Sequence, residues 1–136
     1  MHYKIQLLLQ NSTKMKIKHL LIVDDSMVSR MKIKKVLSSV TAFEFTEVTS
    51  GKECLDRLEK DEFDLVLLDL LMPDIDGIQV LENLKSKSYK KPVLVVSADI
   101  QDTTKSKCIE LGAFDVVPKS VNLKEMKAKV HEILKD

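Results

Sequence analysis

The chain has 136 residues, 44% of them hydrophobic, enough for one domain with its own core and too few for two. Its 22 basic and 21 acidic residues leave a formal charge of +1, so no whole-molecule attraction to nucleic acid or to an anionic membrane is expected. No apolar run approaches a membrane span, and the cluster Ile5 with Leu7 to Leu9 is too short for a secretory leader.

Residues 1–16 are polar apart from that cluster. They are read as an N-terminal extension, frayed or weakly helical, ahead of a domain at 17–136. An amphipathic arm docking on a partner or a second copy is the sharper alternative. The first strong pattern is His19 to Val23, an unbroken apolar run that ends on two carboxylates, Asp24 and Asp25. Ser26 is the expected cap of a helix running to about Ser39, with Met27, Met31, Val36, Leu37 and Val40 assigned to its inner face. Phe43 to Val48 alternates as a shorter edge strand would. Ser50-Gly51 opens a second helix with Leu55 and Leu58 inward.

Leu65 to Leu68 organises the rest of the chain. Four apolar residues are too few for a free helix and fit a strand buried on both faces, as in a parallel sheet. The run stops on Asp69, and a loop holding Pro73 and Gly77 leads to a third helix with Ile78, Leu81 and Leu84 at spacings of three. Val93 to Val96 is the next buried strand, ending on Ser97. A fourth helix is expected from about Asp102 to Leu111, stopped by Gly112, with a sparsely charged outer face near Cys108 and Ile109. Val116-Val117 forms a last short strand before Pro118-Lys119-Ser120. Asn122 is the expected cap of a fifth helix, with Leu123, Met126, Val130, Ile133 and Leu134 in one apolar stripe. Cys54 and Cys108 stand far apart within helical patterns and without metal-spaced partners. They read as small core residues in a reducing, cytoplasmic setting.

Five strand–helix units in succession imply a doubly wound parallel α/β sheet, because parallel neighbours need right-handed helical crossovers. For one domain of this length the expected order is flavodoxin-like, 2-1-3-4-5, with five helices. That order gathers Asp24, Asp25, Asp69, Ser97 and Lys119 at the carboxyl ends of neighbouring strands, where open α/β sheets build their sites. Each has a bland reading: an acid after a strand often caps a helix, Ser97 alone is a loop serine, and Lys119 alone a surface lysine. Their convergence on one sheet edge is the informative feature. Three carboxylates about 5 Å apart repel by roughly 3 kcal/mol per pair at an effective dielectric near 20. Protonation of one acid or a divalent cation relieves this, and hard oxygen ligands with open positions suit Mg²⁺. With a lysine and a hydroxyl opposite Asp69, the set is similar to a phosphoryl-transfer site.

These residues resemble the receiver domain of two-component response regulators. The matching features are Val23-Asp24-Asp25-Ser26, Asp69-Leu70-Leu71-Met72-Pro73-Asp74-Ile75-Asp76-Gly77, Val96-Ser97-Ala98, and Gly112-Ala113 leading to Lys119. The resemblance implies that Asp69 accepts a phosphoryl group from a histidine-kinase phosphohistidine. It implies that Asp25, Asp69 and the Leu71 backbone carbonyl bind Mg²⁺, with Asp24 acting mainly through a metal-bound water. Ser97 and Lys119 would hold the phosphoryl oxygens. Two positions depart from the family pattern: Ser120 follows Lys119 where proline is usual, and Val116 stands where a rotating Tyr or Phe is common.

With no residues left over for an output domain, the expectation is a stand-alone receiver of the chemotaxis or phosphorelay kind. It would signal through phosphorylation-dependent protein binding, as a monomer or as a weak dimer through the fourth helix and fifth strand. The expected partners are a histidine kinase or histidine phosphotransfer protein and a downstream protein target. An enzyme of the haloacid-dehalogenase type would need a second aspartate two residues after Asp69, where Leu71 stands. A degenerate receiver that works without phosphorylation is the remaining alternative.

Overall fold

The computed structural model describes residues 17–39 and 42–135, and every structural statement below concerns these. The expected extension at 1–16 and Val40 lie outside the described residues. The elements alternate throughout: β1 (Lys18–Val23), α1 (Met27–Ser38), β2 (Phe43–Val48), α2 (Gly51–Lys60), β3 (Leu65–Leu68), α3 (Gly77–Ser86), β4 (Val93–Ser97), α4 (Asp102–Glu110), β5 (Asp115–Pro118) and α5 (Lys124–Leu134). All strand pairs are parallel and the sheet order is β2-β1-β3-β4-β5. This is the expected doubly wound flavodoxin-like arrangement.

The central strands are apolar at nearly every position because both of their faces are covered. Alternation splits each strand between two cores. Leu21, Val23, Val66, Leu68, Val93, Val95 and Val116 face one way, onto Cys54 of α2, Val80, Leu81 and Leu84 of α3, and Cys108 of α4. Leu20, Ile22, Leu65, Leu67, Leu94, Val96 and Val117 face the other way, onto Ile33 and Leu37 of α1 and Met126 and Val130 of α5. Burying a residue of this kind is worth about 1.5–3 kcal/mol. A polar substitution in β3 would therefore damage one core or the other, according to which face its position serves.

Three expectations need correction. Met27 and Met31 are 65% and 57% exposed, and the inner face of α1 belongs to Ile33 and Leu37. Met31 and Ile33 are two residues apart, about 200° around a helix, so one row faces water when the other faces the sheet. Cys108 is fully buried, as its reading as a core residue implied, so the outer face of α4 is marked by Ile109 and not by Cys108. Asn122 does not occupy the N-cap of α5; that position is Leu123, held in the left-handed region at φ 52°. The Asn122 side chain nonetheless accepts a hydrogen bond from the Lys124 amide at 3.2 Å.

Candidate phosphoryl and metal site

Register puts the site together. Val23 pairs with Leu68, so Asp24 and Asp69 leave their strands at the same level, and the Asp69 amide donates to the Val23 carbonyl at 2.9 Å. Ser97 pairs with Pro118, so Lys119 follows at the edge of β5, its amide donating to the Ser97 carbonyl at 2.9 Å. Asp24 is 1% exposed, Asp69 6% and Ser97 0%, whereas Asp25 lies open to solvent. Carboxylate oxygens of Asp24, Asp25 and Asp69 all come within 4.8 Å of one another. All five side chains expected from the sequence thus meet at one sheet edge. Leu71, expected to offer its backbone carbonyl, stands two residues beyond Asp69, and its amide lies 3.4 Å from Asp69 Oδ1.

Lys119 bridges two of the acids. Its Nζ lies 2.8 Å from Asp24 Oδ2 and 3.3 Å from Asp69 Oδ2. Burial is the largest influence on the lysine and pushes its pKa down, but hydrogen bonding and charge attraction from Asp24 and Asp69 override it, and the net shift is upward. The ammonium therefore stays charged. Asp69 is shifted upward, first by burial and then by the negative charge of Asp24, with Lys119 opposing both. A buried carboxylate that resists ionisation gains most from an added cation, so the hard oxygen set fits a small divalent ion.

The acids are not equivalent. Asp24 Oδ1 accepts from the Ser26 amide at 2.9 Å, and Oδ2 accepts from the Ser29 hydroxyl at 2.5 Å as well as from Lys119. Arg30 adds a bond to the Asp24 backbone carbonyl at 2.8 Å. With both oxygens already bonded, Asp24 is the acid least available for direct coordination. Ser26 caps α1 as expected, its side chain accepting from the Ser29 amide. The roles of Ser29 and Arg30 escaped the sequence reading, since a serine and an arginine on the first turns of a helix carry no local mark of a long-range partner.

Ser120, where the family usually has proline, does not keep Lys119 from the acids. No cis peptide bond occurs among the described residues, and Lys119 still reaches both acids. An open groove of about 760 Å³ runs beside the site, with Asp25, Leu71, Met72, Asp99, Thr104 and Lys107 among its walls.

The response regulator receiver domain family model matches residues 20–131. The transcriptional regulatory protein CiaR of Streptococcus pneumoniae is 38% identical over 89 residues, which cover 65% of this chain and 40% of CiaR. The chain thus spans less than half the length of that relative. Among solved structures, the response regulator TrrA of Thermotoga maritima, in complex with Mg²⁺-BeF, is 30% identical with a TM-score of 0.77, over 87% of this chain and 100% of TrrA. The receiver domain of the Francisella response regulator 1452 is 25% identical with a TM-score of 0.78, over 85% of this chain and 95% of that one. No helix among the described residues is long and apolar enough to cross a membrane.

Proposed function

The chain belongs to the response regulator receiver domain family, and on that premise we propose that Asp69 is the acceptor of a phosphoryl group carried on a phosphohistidine. The observation that carries the reading is the Asp69 carboxylate at the end of a buried strand, 3.3 Å from Lys119 Nζ and within 4.8 Å of two further acids. A carboxylate oxygen of Asp69 forms the bond to phosphorus as the phosphorus–nitrogen bond of the donor breaks, and the leaving imidazole takes up a proton. Lys119 neutralises oxygens of the transferred group, and Ser97 donates its hydroxyl hydrogen to one of them.

Asp25, Asp69 and the Leu71 carbonyl would hold Mg²⁺, with Asp24 acting through a bound water. When bound, the cation neutralises the clustered acids and the charge on the phosphoryl oxygens. The Mg²⁺-BeF complex of TrrA supports the same chemistry here. The donor is a histidine kinase or a histidine phosphotransfer protein, and the output is a changed affinity for a protein target. A phosphorylation-independent module is the weaker reading, because every polar group that the transfer needs is present. A self-associating form would use α4 and β5.

Intact-mass measurement after incubation with acetyl phosphate and Mg²⁺ tests the assignment. One phosphoryl adduct is expected on the wild type and none on Asp69→Asn. A full adduct on the variant would overturn it.

A further inference from the structure

The geometry points to Asp74 and Gly51 as positioning residues that hold the Leu71–Pro73 span of the phosphoacceptor loop in place for Mg²⁺. The inference rests on the proposed function above. The loop from Asp69 to Gly77 is fixed at several points. The Gly77 amide closes it on the Leu70 carbonyl at 3.0 Å, and Asp76 caps α3 in a reciprocal pair of bonds with Gln79. The remaining anchor lies outside the loop. Asp74 Oδ1 accepts from the Gly51 amide and Asp74 Oδ2 from the Lys52 amide, each at 3.2 Å.

Those amides open α2 and have no partner within the helix. Ser50 caps the next one, of Glu53, so three successive amides of this helix end are satisfied by side chains, two of them from the loop. The pull on Asp74 is evident in its acidity. Desolvation is the largest single influence and raises its pKa, but backbone donors led by Ile75, Lys52 and Gly51 outweigh it and hold the carboxyl below its ordinary value. Gly51 is needed for the same approach. A Cβ at that position would lie 2.3 Å from the Ile75 carbonyl oxygen and 2.9 Å from the Ile75 Cβ. Neither group is the free end of a long side chain, so the loop itself would have to move away.

Between Leu70 and Asp74, the bond from the Leu71 amide to Asp69 Oδ1 is long at 3.4 Å. The position of the Leu71 carbonyl therefore depends on the two ends of the span. One end is tied by Gly77 and the other by Asp74. Releasing the Asp74 end widens the range that the Leu71 carbonyl samples, a cost charged to metal affinity because the site must then be ordered on binding.

Titration calorimetry of Mg²⁺ into the full chain provides the test, with metal-free melting temperatures measured alongside. Asp74→Ala is expected to weaken Mg²⁺ binding on the order of tenfold. Asp74→Asn, which keeps one acceptor oxygen, should fall in between, and Gly51→Ala should weaken binding by displacing the loop from the other side. A merely structural role would lower the melting temperature and leave the affinity of the folded protein alone. Wild-type affinity in the folded variants overturns the inference, whatever the melting temperatures do. Should Asp74→Ala fail to fold, Asp74→Asn and Gly51→Ala decide the matter by the same criterion. A wild type that takes up no Mg²⁺ would overturn the proposed function and this inference together, whereas unchanged variants overturn this inference alone.

Discussion

Lys119 lies closer to Asp24 than to Asp69, at 2.8 Å against 3.3 Å, although Asp69 is the residue on which the proposed chemistry turns. The lysine therefore stands in for a cation in the acid cluster, and it competes with any metal for the same negative charge. At about 4 Å and an effective dielectric near 20, one such charge pair is worth roughly 4 kcal/mol before screening. Replacing the ammonium with an apolar chain of similar length should let Mg²⁺ bind more tightly. For Lys119→Met we expect a gain on the order of tenfold by titration calorimetry, and a lower metal-free melting temperature, because buried Asp24 loses a partner. Equal or weaker Mg²⁺ binding in Lys119→Met would show that the lysine does not compete.

Gly77 marks a second point where the fold constrains the site. A Cβ there would sit 2.7 Å from the Asp69 carbonyl oxygen, the Leu70 Cα and the Leu70 Cδ2. Two of these are backbone atoms at the end of β3, so the clash cannot be relieved by turning a side chain. Gly77→Ala should cost about 2–4 kcal/mol, as overpacking with backbone displacement does. Chemical denaturation of the metal-free protein measures it. A loss under about 0.5 kcal/mol, within the range of an ordinary surface change, would mean that the loop yields freely.

Much of this was legible in the sequence, and the reason is physical. Strands buried on both faces, such as Leu65 to Leu68, have a pattern that few other structures share. A carboxylate directly after such a run has a place fixed by the strand's end. Asp24, Asp69, Ser97 and Lys119 could be brought together from the chain alone because each ends a strand of one sheet. Helix faces were harder. Met27 and Met31 formed as good a row as Ile33 and Leu37, and only packing against the sheet decides between them. Cross-element contacts such as Asp74 with Gly51 and Lys52 were not legible, since they depend on how closely a loop approaches a helix 22 or more residues away.

Acid should weaken the seam between α1 and β2 through Glu47. Its carboxylate takes Lys34 Nζ at 2.8 Å and Arg30 Nε at 3.0 Å. The Lys34 hydrogen bond is the main reason its pKa lies below the ordinary 4.5, with Arg30 assisting and burial opposing. A depressed folded-state pKa contributes stability that is complete above the ordinary value and fades as pH falls through and below it. Glu47→Gln should therefore cost about 0.5 kcal/mol at pH 7, a modest figure because the pair is partly exposed, and progressively less as the pH falls below 4.5. Melting curves of both proteins across that range check the sign. A difference that did not shrink as the pH fell below 4.5 would trace to packing and not to charge.

The remaining prediction concerns how a phosphoryl group on Asp69 would be felt at a distance. A ligand shifts a two-state equilibrium only through contacts that differ between the states. The rotating aromatic of the family is replaced by Val116, a buried residue with a stiff side chain and nothing large to swing. Ser97 offers another route. Its hydroxyl oxygen accepts from the Asp99 amide at 3.0 Å, which leaves the hydroxyl hydrogen available for a phosphoryl oxygen. The Asp99 carboxylate in turn accepts from the Gln101 amide at 3.1 Å and from the Thr104 hydroxyl at 2.9 Å, on the first turn of α4. Gln101, at the N-cap, makes no capping bond with its own side chain, so Asp99 ties this helix start to Ser97. Movement of Ser97 toward Asp69 would pull that tie and shift α4 and the strand after it. Ser97→Ala should weaken binding of a beryllofluoride mimic and, at saturating mimic, abolish the response of residues 99–117, whereas Val116→Ala should keep the response and lose stability by about 1–2 kcal/mol. Amide chemical shifts with and without the mimic read both. If wild-type shifts stay confined to the acid cluster and residues 99–117 are silent, signalling does not run through Ser97.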